Sequence, residues 1–270
     1  MIQNRSRTWL QDLFSFWCAA FTRTSHRKRV LLAAHCGDYG PLLQNAELAL
    51  NQTFWHYGAD HPETARKIAA LAAIHALREE ISQADPLYRR AIAILSHSHD
   101  ATDRAEALTL LEQLADLLAH NHDTESAQKI YLELLSRFGA IHEGHPHEDI
   151  ARTLDNLALV LKSQGRIAVA KENHRNALLI WEAVCGPGSP EVARCLTHLA
   201  SLYLSEQLYE EAEPLLLRAV AAWKSSPNPH DLYAIITLSC CGDLYRSTGR
   251  GEEARDAEDA AKAVLARYAK

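Results

Sequence analysis

Residues Ala151–Ile180 read ARTLDNLALVLKSQGRIAVAKENHRNALLI. Leu154, Leu157, Ala158 and Leu161 recur at the three- and four-residue spacing of one helix face. Gly165 interrupts the pattern, and Ile167, Ala170, Ala177 and Ile180 form a second face. The stretch is a helix–turn–helix hairpin, and it is repeated. It aligns without gaps on Ala193–Ala222, 42 residues on, and on Ala65–Ile94, 86 residues back. Halving the longer interval finds Leu108–Arg137, and a fifth copy is Ile235–Val264. The expected fold class is all-α, a tandem array of hairpins in which each pair of helices buries its apolar stripe against its neighbours.

Three positions in each copy are reserved for small side chains. They are Ala72, Ala84 and Ala91; Ala115 and Ala127 with Leu134 as the exception; Ala158, Ala170 and Ala177; Ala200, Ala212 and Ala219; and Gly242, Ala254 and Ala261. Small residues at fourteen of these fifteen places let helix axes approach closely there. Pro86 and Pro214 fall at equivalent places in the second helix of their copies, where a proline forfeits a backbone bond and tends to kink the helix. The last helix is strongly charged (Glu252, Glu253, Arg255, Asp256, Glu258, Asp259), as the outer face of a terminal cap should be.

Composition narrows the function classes. The chain has 270 residues, 47% apolar and 23% charged, with 11 Gly and 9 Pro, which excludes disordered and collagen-like chains. Its formal charge of −6 is uneven: residues 1–29 carry six Lys/Arg against Asp12 and are net +5, leaving −11 for the rest. An acidic body argues against a nucleic-acid surface. Six cysteines without a CxxC pair suit a reducing compartment, and no run of 18 uncharged apolar residues occurs, so the expected location is the cytoplasm. The sequence lacks a Gly-rich phosphate loop, a GxSxG motif and a kinase motif set, so no catalytic residue and no cofactor are expected.

The array resembles tetratricopeptide repeats. Gly165-Arg166-Ile167, Ala84-x3-Tyr88-x2-Ala91 and Ala127-x3-Tyr131 match that signature. The 42–43 residue period, the His-Pro joints (His61-Pro62, His145-Pro146) and EEAEPLLLRA (Glu210–Ala219) resemble the kinesin-light-chain type. The resemblance covers residues 62–268 and is strongest over 146–223. It implies a right-handed α-solenoid of five repeats, at about 62–102, 103–145, 146–189, 190–229 and 230–268, with 25–61 as a degenerate sixth and 1–24 as an amphipathic segment. It also implies a non-enzymatic scaffold or adaptor whose concave side binds a peptide or helix of a partner protein. The alternative is a regulatory module sensing a peptide or small ligand. The oligomeric state is not legible.

Carried over residue by residue, the concave positions are Arg66, Glu112, Gln113, Asp116, Arg152, Asp155, Asn156, Leu159, Lys162, Arg194, Thr197, His198, Ser201, Asp243 and Arg246. The group Arg152, Asn156, Arg194 and His198, on adjacent copies, is the preferred contact for an anion or a peptide carboxylate. A face paired with itself, as by Arg152 with Asp155, is the structural alternative. The Lys/Asn/Lys/Arg set of a chaperone-tail clamp is not recognisable.

Two further features carry chemistry. Trp9, Leu13, Phe14, Phe16, Trp17 and Phe21 form one apolar face between basic flanks. That face fits a cap on the first repeat, a partner, or peripheral attachment to an anionic membrane through residues 8–21. Histidines cluster at 97–99, 120–122 and 142–147, beside acidic residues, but in turns and without HExxH or paired cysteines, so no metal is expected. His145 is read as part of the His-Pro joint, and His75 and His174 as core residues.

Overall fold

The computed structural model describes residues 39–225 and 232–268. The amphipathic face of Trp9, Leu13, Phe14, Phe16, Trp17 and Phe21 lies outside the described residues, as does the expected first helix of the degenerate repeat. The described residues hold eleven α-helices: α1 (Gly40–Tyr57), α2 (Pro62–Leu77), α3 (Ile81–Ser96), α4 (Ala101–His120), α5 (Thr124–Ile141), α6 (Glu148–Ser163), α7 (Ile167–Cys185), α8 (Pro190–Ser205), α9 (Tyr209–Ser225), α10 (Leu232–Ser247) and α11 (Gly251–Tyr268). The protein is all-α, of the helical-hairpin solenoid class.

The period is held at the hairpin turns. First helices end at 77, 120, 163, 205 and 247, and second helices start at 81, 124, 167, 209 and 251, both in steps of 43, 43, 42 and 42. Each turn places one residue in the left-handed region: Glu79, His122, Gly165, Gln207 and Gly249, with φ from 60 to 78°. That residue lets the chain reverse while the next amide bonds back to the closing turn of the first helix. Glu80 N donates to His75 O, Arg166 N to Leu161 O, Leu208 N to Tyr203 O and Arg250 N to Tyr245 O. Glycine adopts this conformation without strain; the other three residues do so at a cost.

First helices open on side-chain caps. His61 Nδ1 accepts from Glu63 N, Asp100 from Thr102 N, His147 Nδ1 from Asp149 N, and Ser189 from Val192 N. The capping histidine of α6 is therefore His147, 86 residues after His61, and not His145 as the His-Pro spelling suggests. Both α3 and α9 run on as helix through Pro86 and Pro214.

The chain divides into two compact units, Met1–Asn121 and His122–Lys270. In the first, α1 packs on α2, α2 on α3, and α3 on α4, with α2 also touching α4. In the second, each helix from α5 to α11 packs on the next, and α8 also reaches α10. All fifteen small-residue positions are buried, the Leu134 exception included. A larger side chain at the fully enclosed alanines would push its neighbours apart.

Candidate functional site

In the second unit, α6 and α8 carry equivalent polar residues 42 positions apart: Arg152 with Arg194, Asp155 with Thr197, and Asn156 with His198. Lys162 Nζ donates to Ser201 Oγ at 3.0 Å and ties the two helices side by side. Helix spacing puts 152, 156 and 159 on one side of α6 and turns 155 toward its hairpin partner α7.

Asp155 is accordingly not on the open face expected from the sequence. It is 1% exposed. Its Oδ1 lies 2.8 Å from His174 Nδ1, and its Oδ2 accepts from Trp181 Nε1 at 3.0 Å. Both partners come from α7. Arg152 is not its ion pair either; Arg152 reaches back three residues to Asp149. The charge that does approach Asp155 is Arg194, with one guanidinium nitrogen 3.9 Å from Oδ2.

Around this carboxylate the second unit assembles a buried polar cluster. The His174 and His198 rings lie 5.5 Å apart, and His198 meets the Tyr233 ring edge-on at 5.9 Å. The Arg194 guanidinium sits 5.9 Å from the centre of the same Tyr233 ring, which stacks on Trp223. Cys195 Sγ is turned to the His174 carbonyl oxygen at 3.3 Å. Three atoms here are buried without a hydrogen-bond partner among the described residues: His174 Nε2, Arg194 Nε and His198 Nδ1. Burial favours protonating Asp155, but His174, Arg194 and His198 outweigh it and hold the carboxyl below its usual range. Burial pushes the His198 imidazole down to about 3, against the pull of Asp155 and aided by His174, Arg194 and Lys162.

An acceptor suits this cluster better than a cation. Asp155, His174 and His198 bring one atom each within 4.8 Å of one another. Yet both oxygens of Asp155 already face N–H groups, and Arg194 adds a positive charge beside them. Arg Nε–H can only donate, so its missing partner is an oxygen and not a metal. His142, His147 and Asp149 form a second close set. There the two imidazoles are stacked at 3.6 Å and 11°, so their lone pairs run side by side and do not converge, and His147 Nδ1 is spent on the cap. Nor is Cys195 an activated nucleophile, because burial and then Asp155 push its thiol pKa up.

The remaining sequence candidates are placed elsewhere. In the first unit, Arg66 on α2 is fully engaged, bonding Glu63 on its own helix and Asp103 and Glu106 on α4. Gln113 and Asp116 lie half-buried on α4. In the second unit, Asp243 and Arg246 pair with each other, and Arg246 also bonds Glu258 of α11. Of the candidates, the structure gathers Asp155, Arg194 and His198, with Arg152 and Asn156 beside Asp155 on α6. Sequence reasoning missed Trp181, Trp223 and Tyr233. A signal was available, since Phe138, Trp181 and Trp223 recur in steps of 43 and 42, and each is buried.

Residues 149–213 and 196–265 match the tetratricopeptide-repeat family model. The matched repeats contain the whole cluster. None of the curated proteins matches the sequence. Among solved structures the chain is similar to BtubC (BKLC) from P. vanneervenii, at 21% identity over 84% of this chain and 90% of that one, with a TM-score of 0.68. It is also similar to a Podosopora anserina putative kinesin light chain of nearly identical TPR-like repeats, at 19% identity over 77% and 97%, with a TM-score of 0.61. A third likeness is to aspartyl phosphate phosphatase F from Bacillus subtilis, at 14% identity over 91% and 63%, with a TM-score of 0.66. At these identities the likeness is one of fold. No helix among the described residues is long and apolar enough to cross a membrane.

Proposed function

We propose that the second unit is a non-enzymatic protein-interaction module that holds a segment of a partner along the polar side of α6 and α8, with a carboxylate of that segment against Arg194 and His198. The observation that carries this reading is the buried Arg194 Nε–H, a permanent donor with no acceptor among the described residues. Arg152 and Asn156 form the half-buried rim. The small-residue packing beneath makes the face stiff, so little ordering opposes binding.

Matched acidic peptides with a free or an amidated C-terminus, titrated by fluorescence anisotropy, test this and separate a terminal carboxylate from a side-chain one. Loss of one charge-assisted contact is worth about 1.5–3 kcal/mol, or about 10- to 150-fold in affinity. Arg194→Met should cost that much. Equal affinity for the parent and Arg194→Met would move the contact elsewhere.

A further inference from the structure

On the reading that Arg194 receives a carboxylate, its open Nε–H needs a cause, and the repeat register supplies one. Arg66 and Arg194 occupy the same register position, in the first and fourth copies. Arg66 Nε donates to Glu106 Oε2 at 2.8 Å, from the first helix of the following repeat. Counted repeat by repeat, Glu106 corresponds to Asp149, then Glu191, then Tyr233. Arg194 therefore meets a ring where Arg66 meets a carboxylate: its guanidinium lies 5.9 Å from the centre of the Tyr233 ring. A ring face attracts a guanidinium but gives its N–H no oxygen, and Arg194 Nε is left buried without a partner among the described residues.

Arg194 also stops short of Asp155. At 3.9 Å its nearest nitrogen is about 1 Å beyond a charge-assisted hydrogen bond. Closing that gap would pair the guanidinium within the chain and withdraw it from a ligand. The ring beside Arg194 is itself fixed. Trp223 stacks on it at 6.4 Å and 7°, and His198 meets its edge. Trp223 Nε1 donates to Thr237 Oγ1 at 3.0 Å, and that hydroxyl lies 2.7 Å from both Thr197 Oγ1 and the Tyr233 carbonyl oxygen. We propose that Tyr233 is a positioning residue: its ring stands where an acceptor stands in the first repeat, holds Arg194 off Asp155, and so keeps the Nε–H open for the partner's carboxylate. A side chain at 233 that carried an oxygen at that height would satisfy Arg194 from within and close the site.

The test follows the Arg194 Nε–H resonance by NMR on the full chain, assigned by its loss in Arg194→Met, as sodium acetate replaces sodium chloride at constant ionic strength. In the parent the resonance should move with acetate. Tyr233→Phe, which keeps the ring, should match the parent. Tyr233→Gln, which offers an oxygen without adding charge, should hold the resonance displaced already in chloride and need at least about tenfold more acetate for half the movement. Circular dichroism checks that each variant keeps its helicity. An acetate titration of folded Tyr233→Gln equal to the parent's, or a lost response in folded Tyr233→Phe, would overturn the role of Tyr233 while leaving the carboxylate site standing. If Tyr233→Gln does not fold, the parent decides: nuclear Overhauser contacts between the Arg194 side chain and the Tyr233 ring should persist in acetate, and their disappearance would overturn the role. A parent resonance that stays in place as acetate replaces chloride would overturn both the role and the site.

Discussion

Replacing Asp155 by Leu separates a binding residue from a structural anchor. The carboxylate is enclosed and receives the His174 and Trp181 contacts at 2.8 and 3.0 Å, with Arg194 at 3.9 Å. Leucine fills a similar space but leaves two buried N–H groups without acceptors, at about 1–3 kcal/mol each, and strips Arg194 of its counter-charge. Breaking one side of a buried pair costs about 3–5 kcal/mol in all, since these losses overlap. At about 2–4 °C per kcal/mol for a unit of this size, the melting temperature should fall by about 6–20 °C. Arg152→Leu, which removes a part-exposed pair with Asp149, should cost less than Asp155→Leu. The double variant Asp155→Leu/His174→Leu should lose less than the two single variants summed, because neither leaves its partner stranded. Calorimetry on the full chain reads the parent and the four variants, His174→Leu included. An Asp155→Leu melting temperature within 2 °C of the parent would refute the anchor role.

Other outcomes follow from the turns, the histidine and the first unit. Gly165 has φ 76° and nothing within 4 Å of an added Cβ, so Gly165→Ala should cost about 1 kcal/mol from backbone strain and not from a clash, measured by urea denaturation. Conversely, Gln207→Gly should be neutral to stabilising by about 1 kcal/mol. His198 is held down to about 3 when folded against 6.5 when free, so its contribution is complete above pH 6.5 and is lost as the pH falls toward 3. The slope is at most about 1.4 kcal/mol per pH unit, and His198→Gln should flatten it in urea midpoints taken between pH 7.5 and 4.5. Phe54, Trp55 and Tyr57 are exposed on α1, Trp55 at 85%. If residues 1–24 cover that helix, deleting them should lower the melting temperature of the full chain and leave it unable to bind anionic vesicles both before and after deletion. Vesicle binding by the full chain that is lost on deletion would favour the membrane.

The hairpins were legible because small-residue positions must repeat wherever helix axes approach, and all fifteen proved buried. Gly165 marked its turn, but Glu79, His122 and Gln207 adopt the same backbone with no glycine to announce it. The cluster was half legible. The family resemblance places Asp155, Arg194 and His198 alike on the concave face, and the structure departs from it at Asp155, which is enclosed. Its burial depends on His174 and Trp181, 19 and 26 residues away, supplying N–H groups at the right height on α7. Spacing within one helix carries no information about such a partner. At the equivalent position of the next repeat, Thr197 is buried too, and its hydroxyl lies 2.7 Å from that of Thr237, which accepts from Trp223 Nε1. A hydroxyl pair there does what a carboxylate does one repeat earlier.

On the reading above, the polar side of α6 and α8 holds the partner. Affinity capture from the native host with the parent chain, repeated with Arg152→Glu/Arg194→Glu of unchanged helicity by circular dichroism, tests it most directly. The expected outcome is one protein retained stoichiometrically by the parent and lost from the double variant. Equal retention by both would contradict it.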